Sequence, residues 1–113
     1  MSINSFEITL PFFERRQSVL LNEIVSIEAD RNYTEFRFRD GSVLLTAITL
    51  KRYEERIVHS PYFCRLNRSF IVNLQCVAVY DDMVTLLDGR TMQPSRRRVS
   101  EFKQKLKGMR LVC

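Results

Sequence analysis

The stretch CRLNRSFIVNLQCV, residues 64–77, places polar side chains directly beside a strongly apolar run. Arg65 and Arg68 come before Phe70–Val72, and Asn73 follows that run. The apolar residues need a core, whereas the arginines need water or a charged partner. We therefore interpret the stretch as a buried strand that holds a polar loop outward. Asn73 is expected to have a structural role, with its amide fixing neighbouring backbone.

The segments before this stretch are mostly typical of short strands. Three apolar-rich runs are predicted to be strands: residues 6–10, 18–21 and 24–29. Pro11 is expected to end the first of them. TEFRFRDGSVLLT, residues 34–46, is the clearest hairpin, because Phe36 and Phe38 alternate with charged residues and Asp40–Gly41 is a strong turn signal.

Two segments show helical rather than strand periodicity. TLKRYEERIV, residues 49–58, has Leu50, Tyr53, Ile57 and Val58 on one helical face. In the last segment Ser95 is the predicted N-cap, with a buried stripe of Val99, Phe102 and Leu106. The residues between 77 and 94 are predicted to be further strands. Hairpins rather than helical crossovers join the strands, which predicts a mainly β, antiparallel fold with two or three short helices.

Length and composition predict one globular domain over residues 1–113 and exclude several classes of protein. No apolar run is long enough for a membrane span, and the first residues lack the features of a signal peptide. The three cysteines are an odd number, which favours a reducing cytoplasm. A single histidine and the lack of nucleotide-binding or nucleophile motifs predict a protein that is not an enzyme and has no metal or cofactor. Cys64 and Cys76 are interpreted as buried, inert thiols, with a redox role as the alternative.

Positive charge is concentrated at the end of the chain. Residues 90–113 carry a net charge of +7, whereas residues 1–89 carry −2. This asymmetry indicates either a surface that binds a polyanion or a solvated basic helix face. Arg96–Arg98 are predicted to lie in the first turn of the last helix, where cations oppose the helix dipole and a phosphate would offset them. A second polar segment, Asp30–Tyr33, could contact nucleic acid through Arg31, Asn32 and Tyr33 or simply form a turn.

Four segments in order resemble the LytTR DNA-binding domain family, the output domain of LytR/AlgR-type response regulators. They are IVSIEADRNYTEF, TAITLKRYEE, FCRLNRSFIVNL and DGRTMQPSRRRVSEFKQKL, which together span residues from about 24 to 106. The Arg-x-x-Arg-Ser-aromatic-x-Val-Asn pattern of the family is met by residues 65–73, and its Ser-Arg-Arg pattern by Ser95–Arg97. The resemblance implies an elongated antiparallel fold that inserts loops into successive major grooves of double-stranded DNA. By this resemblance three arginine-bearing loops carry recognition: Asp30–Tyr33, Leu66–Ser69 and the segment around Ser95–Arg98.

The resemblance also implies roles for individual residues and a partner. The expected base contacts are Arg68, Arg97, Asn67, Arg31, Asn32 and Tyr33. The expected phosphate contacts are Ser69, Ser95, Arg96, Arg98 and Arg65. Because members commonly bind paired direct repeats, a second copy on the DNA is expected, and the chain is interpreted as a sequence-specific transcriptional regulator.

The sequence departs from the family at two points. Many members have a Cys-His or similar polar pair where this chain has Leu66–Asn67, which affects the base preference expected there. Members also usually carry an upstream receiver domain, for which 113 residues leave no room. The opening MSINSFEITLPFF favours a free-standing regulator over an excised output domain.

Two other functions fit parts of the sequence. A protein-interaction module or anti-regulator would keep the fold and use exposed apolar or edge-strand surface, although all three arginine-bearing segments are retained. An RNA-binding protein would need aromatic rings on an open sheet face. Phe36 and Phe38 are the candidates for such rings, and core packing is the simpler explanation for both.

Overall fold

The computed structural model describes residues 7–12, 15–57 and 59–112, which form ten strands and two α-helices. The strands are β1 Glu7–Phe12, β2 Arg15–Leu20, β3 Ile24–Asp30, β4 Tyr33–Phe38, β5 Val43–Thr46, β6 Phe63–Arg65, β7 Phe70–Asn73, β8 Val77–Tyr80, β9 Val84–Leu86 and β10 Thr91–Met92. The helices are α1 Leu50–Ile57 and α2 Val99–Val112. Short 3-10 turns, Leu21–Glu23 and Leu74–Cys76, precede β3 and β8.

All strand pairs in the described residues are antiparallel. The main sheet has five strands in the order β5-β4-β3-β7-β6, a smaller sheet has the order β10-β9-β8, and β1 pairs with β2. The predicted mainly β, antiparallel fold with two helices is therefore confirmed. The principal extents are 39 × 35 × 24 Å, so the elongation is modest.

The middle of the five-stranded sheet is buried on both faces. Successive residues of a strand point to opposite faces. On β7, Ile71 therefore belongs to one hydrophobic core and Val72 to the other. The same division separates Phe63 from Cys64 on β6. A run without polar alternation at residues 70–72 is what such a doubly covered strand requires.

Helix α1 covers the first face of the sheet, as its periodicity predicts. Leu50, Tyr53 and Ile57 are buried against the strands. The Tyr53 ring meets Phe36 edge-on, with 4.7 Å between ring centroids, and the Tyr53 hydroxyl donates to Thr46 Oγ1. Phe36 is fully buried, so it is a core residue and not part of an open aromatic platform. Val58, which was predicted on the same face, lies outside the described residues.

Helix α2 covers the second face together with the three-stranded sheet. Phe102 is fully buried and meets Tyr80 edge-on, while Leu106 is partly buried beside it. The predicted start of this helix is wrong by one turn, because α2 begins at Val99. The Ser95 carbonyl accepts hydrogen bonds from the N–H groups of Arg98 and Val99, so Arg96–Arg98 form a separate turn before the helix.

Two further predictions about local structure have clear outcomes. The hairpin turn at Asp40–Gly41 is confirmed, because Gly41 has a φ of +88° and Asp40 Oδ1 accepts from the Ser42 N–H and hydroxyl.

The prediction that Pro11 ends the first strand is wrong, since β1 continues to Phe12. A proline fits there because the only strand paired with β1 in the described residues is β2, which leaves an edge where the missing N–H is not needed.

Two cysteines lie in the interior of the protein, as the sequence predicts. Cys64 and Cys76 are free and buried, and burial raises the pKa of Cys64 to about 11 and also raises the pKa of Cys76. The predicted burial of both thiols is therefore confirmed, and the raised pKa values favour their protonated, less reactive form. Within the described residues, neither helix has the length and apolar character needed to cross a membrane.

Asn73 joins the central strand to its surroundings through its buried side chain. Its Nδ2 donates to the Ile24 carbonyl on β3, and its Oδ1 accepts from the Gln75 N–H in the turn that follows β7. Both contacts are 2.9 Å long. The predicted structural role of Asn73 is confirmed.

Replacing Asn73 with alanine is expected to destabilise the fold by about 1–3 kcal/mol, because it removes the hydrogen bonds that the buried amide makes to the Ile24 carbonyl and the Gln75 N–H. Urea unfolding followed by circular dichroism measures this change. The same substitution at the exposed turn residue Asn32 is the control and should change stability by less than about 0.5 kcal/mol. An Asn73→Ala protein as stable as the Asn32→Ala protein would contradict the assignment.

Candidate nucleic-acid interface

The three polar segments singled out in the sequence lie side by side at one end of the molecule. The turn between β3 and β4 adjoins the central loop, defined here as Leu66–Ser69, because the Ala29 N–H donates to the Ser69 carbonyl at 2.8 Å. The central loop in turn adjoins the C-terminal turn, defined as Ser95–Arg98. There the Ser95 N–H donates to the Leu66 carbonyl, also at 2.8 Å. Backbone hydrogen bonds thus join all three into one surface.

The turn between β3 and β4 is the most exposed of the three. Asp30 pairs with Tyr33, so only Arg31 and Asn32 form the turn itself. Arg31 has a φ of +57°, a conformation that is uncommon for residues other than glycine. Arg31 and Asn32 are exposed, and Tyr33 keeps 52% of its surface accessible. All three side chains are available to a partner.

Asn67 organises the central loop from within. Its Oδ1 accepts from the N–H groups of Ser69 and Phe70, and its Nδ2 donates to the Gln93 carbonyl. The loop closes with a bond from the Leu66 N–H to the Phe70 carbonyl, and Leu66 is fully buried. The three bonds of the Asn67 amide use both lone-pair sites of Oδ1 and one of the two Nδ2 hydrogens, so a single N–H remains for the predicted base contact of Asn67.

The tip of the central loop is open to solvent. Arg68 and Ser69 are exposed, and they border an open depression whose other side is formed by Gln93–Arg96. Among the described residues, no hydrogen bond or ion pair engages the side chain of Arg68. A guanidinium held at the tip of a braced loop is suited to a bidentate contact with a guanine edge or a phosphate.

The C-terminal turn presents two of its arginines outward and the third inward. Arg96 and Arg97 are exposed, whereas Arg98 is partly buried. Ser95 is partly buried and faces the same depression as Arg68. The sequence placed Arg96 and Arg97 within a helix, but they occupy the turn ahead of it, where they project freely.

An acidic residue that the sequence did not single out links two of these segments. Glu54, on α1, contacts Arg65 Nη1 through Oε1 at 2.8 Å and Arg98 Nη1 through Oε2 at 3.0 Å. Its side chain is 24% exposed. Arg65 also donates to the carbonyls of Asn67 and Arg68, so each of its three guanidinium nitrogens makes one hydrogen bond within the protein. In the sequence, nothing distinguishes Glu54 from the adjacent Glu55.

The charge state of Glu54 is set by opposing effects. Burial alone would raise the pKa of its carboxyl group. The hydrogen bond from Arg65 and the charge and hydrogen bond of Arg98 outweigh burial, so the pKa of Glu54 lies below its ordinary value of 4.5. Glu54 is therefore ionised throughout the physiological pH range.

The described residues contain no cluster of three or more histidine, cysteine, aspartate or glutamate side chains that could hold a metal ion. The chemistry of this surface comes from guanidinium, amide, hydroxyl and phenol groups, together with backbone N–H donors. Groups of these kinds bind phosphates and base edges through hydrogen bonds and charge.

Comparison with known proteins identifies related sequences and structures. Residues 14–107 match the family model of the LytTr DNA-binding domain. A solved structure from Bacillus cereus, described as the LytTr DNA-binding domain of a methyl-accepting/DNA response regulator, has the same fold with a TM-score of 0.69. Its sequence is 23% identical, and the similarity covers 88% of this chain and 95% of that chain. No curated protein sequence gives a significant match.

Replacing Glu54 with glutamine is expected to destabilise the protein by about 1–2 kcal/mol at pH 7, because a neutral amide pairs less well with two arginines. The lowered pKa of Glu54 sets the pH dependence of this difference. The difference is complete above about pH 4.5 and shrinks as the pH falls and the wild-type carboxylate becomes protonated. Urea unfolding of both proteins at pH 7 and near pH 3 measures it. An equal difference at the two pH values would contradict the ionic role.

Proposed function

Because the chain belongs to the LytTR DNA-binding domain family, we propose that it is a sequence-specific transcriptional regulator that binds double-stranded DNA in the cytoplasm. The observation that supports this most directly is the joining of three polar segments into one basic surface. Each segment is held by backbone hydrogen bonds to its neighbour and exposes at least one arginine. Loops of this kind can enter the major groove, where base pairs are distinguishable by their hydrogen-bonding groups.

We assign base recognition first to Arg68 and Arg97. Both are exposed, and in the described residues neither guanidinium has a hydrogen bond or ion pair with the chain. A bidentate contact from arginine to guanine is the commonest specific contact in protein–DNA complexes. Arg31, Asn32 and Tyr33 form a second group that would contact bases from the adjoining turn. Asn67 remains in the proposal mainly as the residue that shapes the central loop.

Phosphate contacts are assigned to the remaining polar groups at the edge of the surface. Arg96 is exposed, and Ser69 and Ser95 border the same depression as Arg68. Arg98 uses only Nη1 for its acidic partners, which leaves its other nitrogens for a phosphate. Arg65 is the exception, because all its nitrogens donate within the protein. We therefore propose that Arg65 supports the central loop in place of binding a phosphate.

The DNA target is proposed to consist of paired direct repeats bound by two copies of the chain. One copy presents a compact surface of three short segments, so a second copy would lengthen the recognised sequence. Selection of bound duplexes from a random pool tests this directly. Recovered sites with two similar half-sites at a fixed spacing would support the proposal, and single isolated half-sites would contradict it.

One observation favours the alternative of a protein-interaction module. Strand β5 lies at an edge of the main sheet and exposes 47% of Val43 and 45% of Leu45. An exposed apolar edge strand is a surface on which another protein can add a strand. Under this alternative, substitutions at Val43 and Leu45 would abolish function while the arginine substitutions below would not.

Replacing Arg68 or Arg97 with alanine is expected to weaken specific binding by roughly 1–3 kcal/mol and to relax the preference at one base pair. Replacing Arg96 should instead weaken binding to all duplexes alike and lower the salt slope by about one. Fluorescence anisotropy with specific and scrambled duplexes at two salt concentrations separates the two effects.

Arg39→Ala is the matched control for these variants. Arg39 follows the far end of β4, about 20 Å along the strand from Tyr33, and it is also an exposed arginine. Its loss should leave the preference among duplexes unchanged. Unchanged affinity in the Arg68, Arg96 and Arg97 variants would overturn the proposed function.

A further inference from the structure

We propose that Glu54 determines the sequence specificity of this surface by fixing the positions of Arg68 and Arg97 relative to each other. Glu54 would be a positioning residue that touches no DNA itself and acts through Arg65 and Arg98. The inference rests on the proposed function, because it concerns how the same surface discriminates between DNA sequences.

The first connection runs from Glu54 to the backbone on either side of Arg68. Glu54 Oε1 holds Arg65 Nη1 at 2.8 Å. The other two nitrogens of Arg65 each donate at 2.9 Å, Nε to the Asn67 carbonyl and Nη2 to the Arg68 carbonyl. The guanidinium therefore binds the tip of the central loop from the inside, and Glu54 fixes the orientation of that guanidinium.

The second connection runs from Glu54 to the C-terminal turn. Glu54 Oε2 holds Arg98 Nη1 at 3.0 Å. Arg98 directly follows Arg97, and its N–H donates to the Ser95 carbonyl at the start of the turn. Because the side chain of Arg98 is held against α1, the backbone conformations available to Arg97 are restricted.

Glu54 is itself carried on a rigid support. Its neighbour Tyr53 is fully buried, and Leu50 and Ile57 anchor the two ends of α1 in the same core. The two oxygens of one carboxylate are a fixed short distance apart. Arg65 and Arg98 are therefore both held in place by the same group. Arg68 and Arg97, which come from segments 29 residues apart in sequence, thus share one point of attachment.

Removing the charge of Glu54 should have two effects of opposite sign. Loss of one negative charge near the surface increases its attraction for any DNA, specific or not. Loss of the shared attachment allows the two arginines to shift, which weakens hydrogen bonds that depend on geometry. Non-specific affinity should rise while discrimination falls, and a purely destabilising change would not produce that combination.

The test compares Glu54→Gln with Glu55→Gln. Glu55 is the next residue of α1, is exposed, and has no ion pair among the described residues. Both substitutions remove one negative charge from the same helix, so their general electrostatic effects match. The probe is the duplex that wild-type protein selects from a random pool, measured beside a scrambled duplex at pH 7.

We expect Glu54→Gln to reduce the ratio of specific to scrambled affinity by about tenfold or more, which is the range seen for loss of one base contact. Glu55→Gln should leave the ratio at its wild-type value. Equal ratios for the two variants, with wild-type protein that discriminates normally, would overturn this inference and leave the proposed function standing. Wild-type protein that binds both duplexes alike would overturn the proposed function and this inference with it.

Hydrogen exchange in the protein without DNA provides an independent measurement. The Ser95 N–H donates to the Leu66 carbonyl and joins the two segments that Glu54 connects. In the Glu54→Gln protein the exchange of the Ser95 N–H should accelerate by a larger factor than that of the Leu74 N–H, which is bonded to the Tyr62 carbonyl in the core, and the Glu55→Gln protein should show no such difference. An unchanged exchange rate at Ser95 would overturn the positioning role even if DNA affinity changed.

Discussion

The structure depends on strand β7 being covered on both faces. Ile71 and Val72 point into different hydrophobic cores, one closed by α1 and the other by α2 and the three-stranded sheet. Neither core would be complete without that strand, because its residues contribute to both. The polar loop that precedes it therefore starts and ends on the most constrained part of the sheet, and the accuracy of any contact made by the loop derives from this burial.

Beyond the support of the buried strand, the loops of the candidate interface are ordered by polar groups that hydrogen-bond with one another. The side chains of Asn67 and Arg65 make hydrogen bonds to backbone N–H and carbonyl groups of the central loop. In an isolated loop, water would bind those groups. Most of the arginine side chains in the three segments consequently need no internal partner and remain available. This arrangement divides the polar residues into those that hold the surface and those that face outward, a division that sequence composition alone does not show.

Features that depend on local pattern were predictable, and features that depend on distant partners were not. The hairpin at Asp40–Gly41 and the buried face of α1 follow from turn chemistry and periodicity, and both are confirmed. Glu54 was missed because its partners lie 11 and 44 positions away along the chain. The phosphate contact expected of Arg65 came from the family resemblance, and the contact of Arg65 with Glu54 could not be predicted from the sequence around Arg65. The start of α2 was misplaced because Ser95 resembles a cap but begins a separate turn.

The left-handed backbone of Arg31 has a consequence for attempts to stabilise the protein. A side chain other than glycine in this conformation costs roughly 1 kcal/mol, and glycine would relieve that cost. Selection for thermal resistance alone would therefore favour a glycine at position 31 and would remove an exposed cation from the surface proposed to bind DNA. Heat-resistant variants selected without a functional screen would thus tend to lose the proposed DNA contact of Arg31. At this turn position, stability and the proposed DNA binding favour different residues.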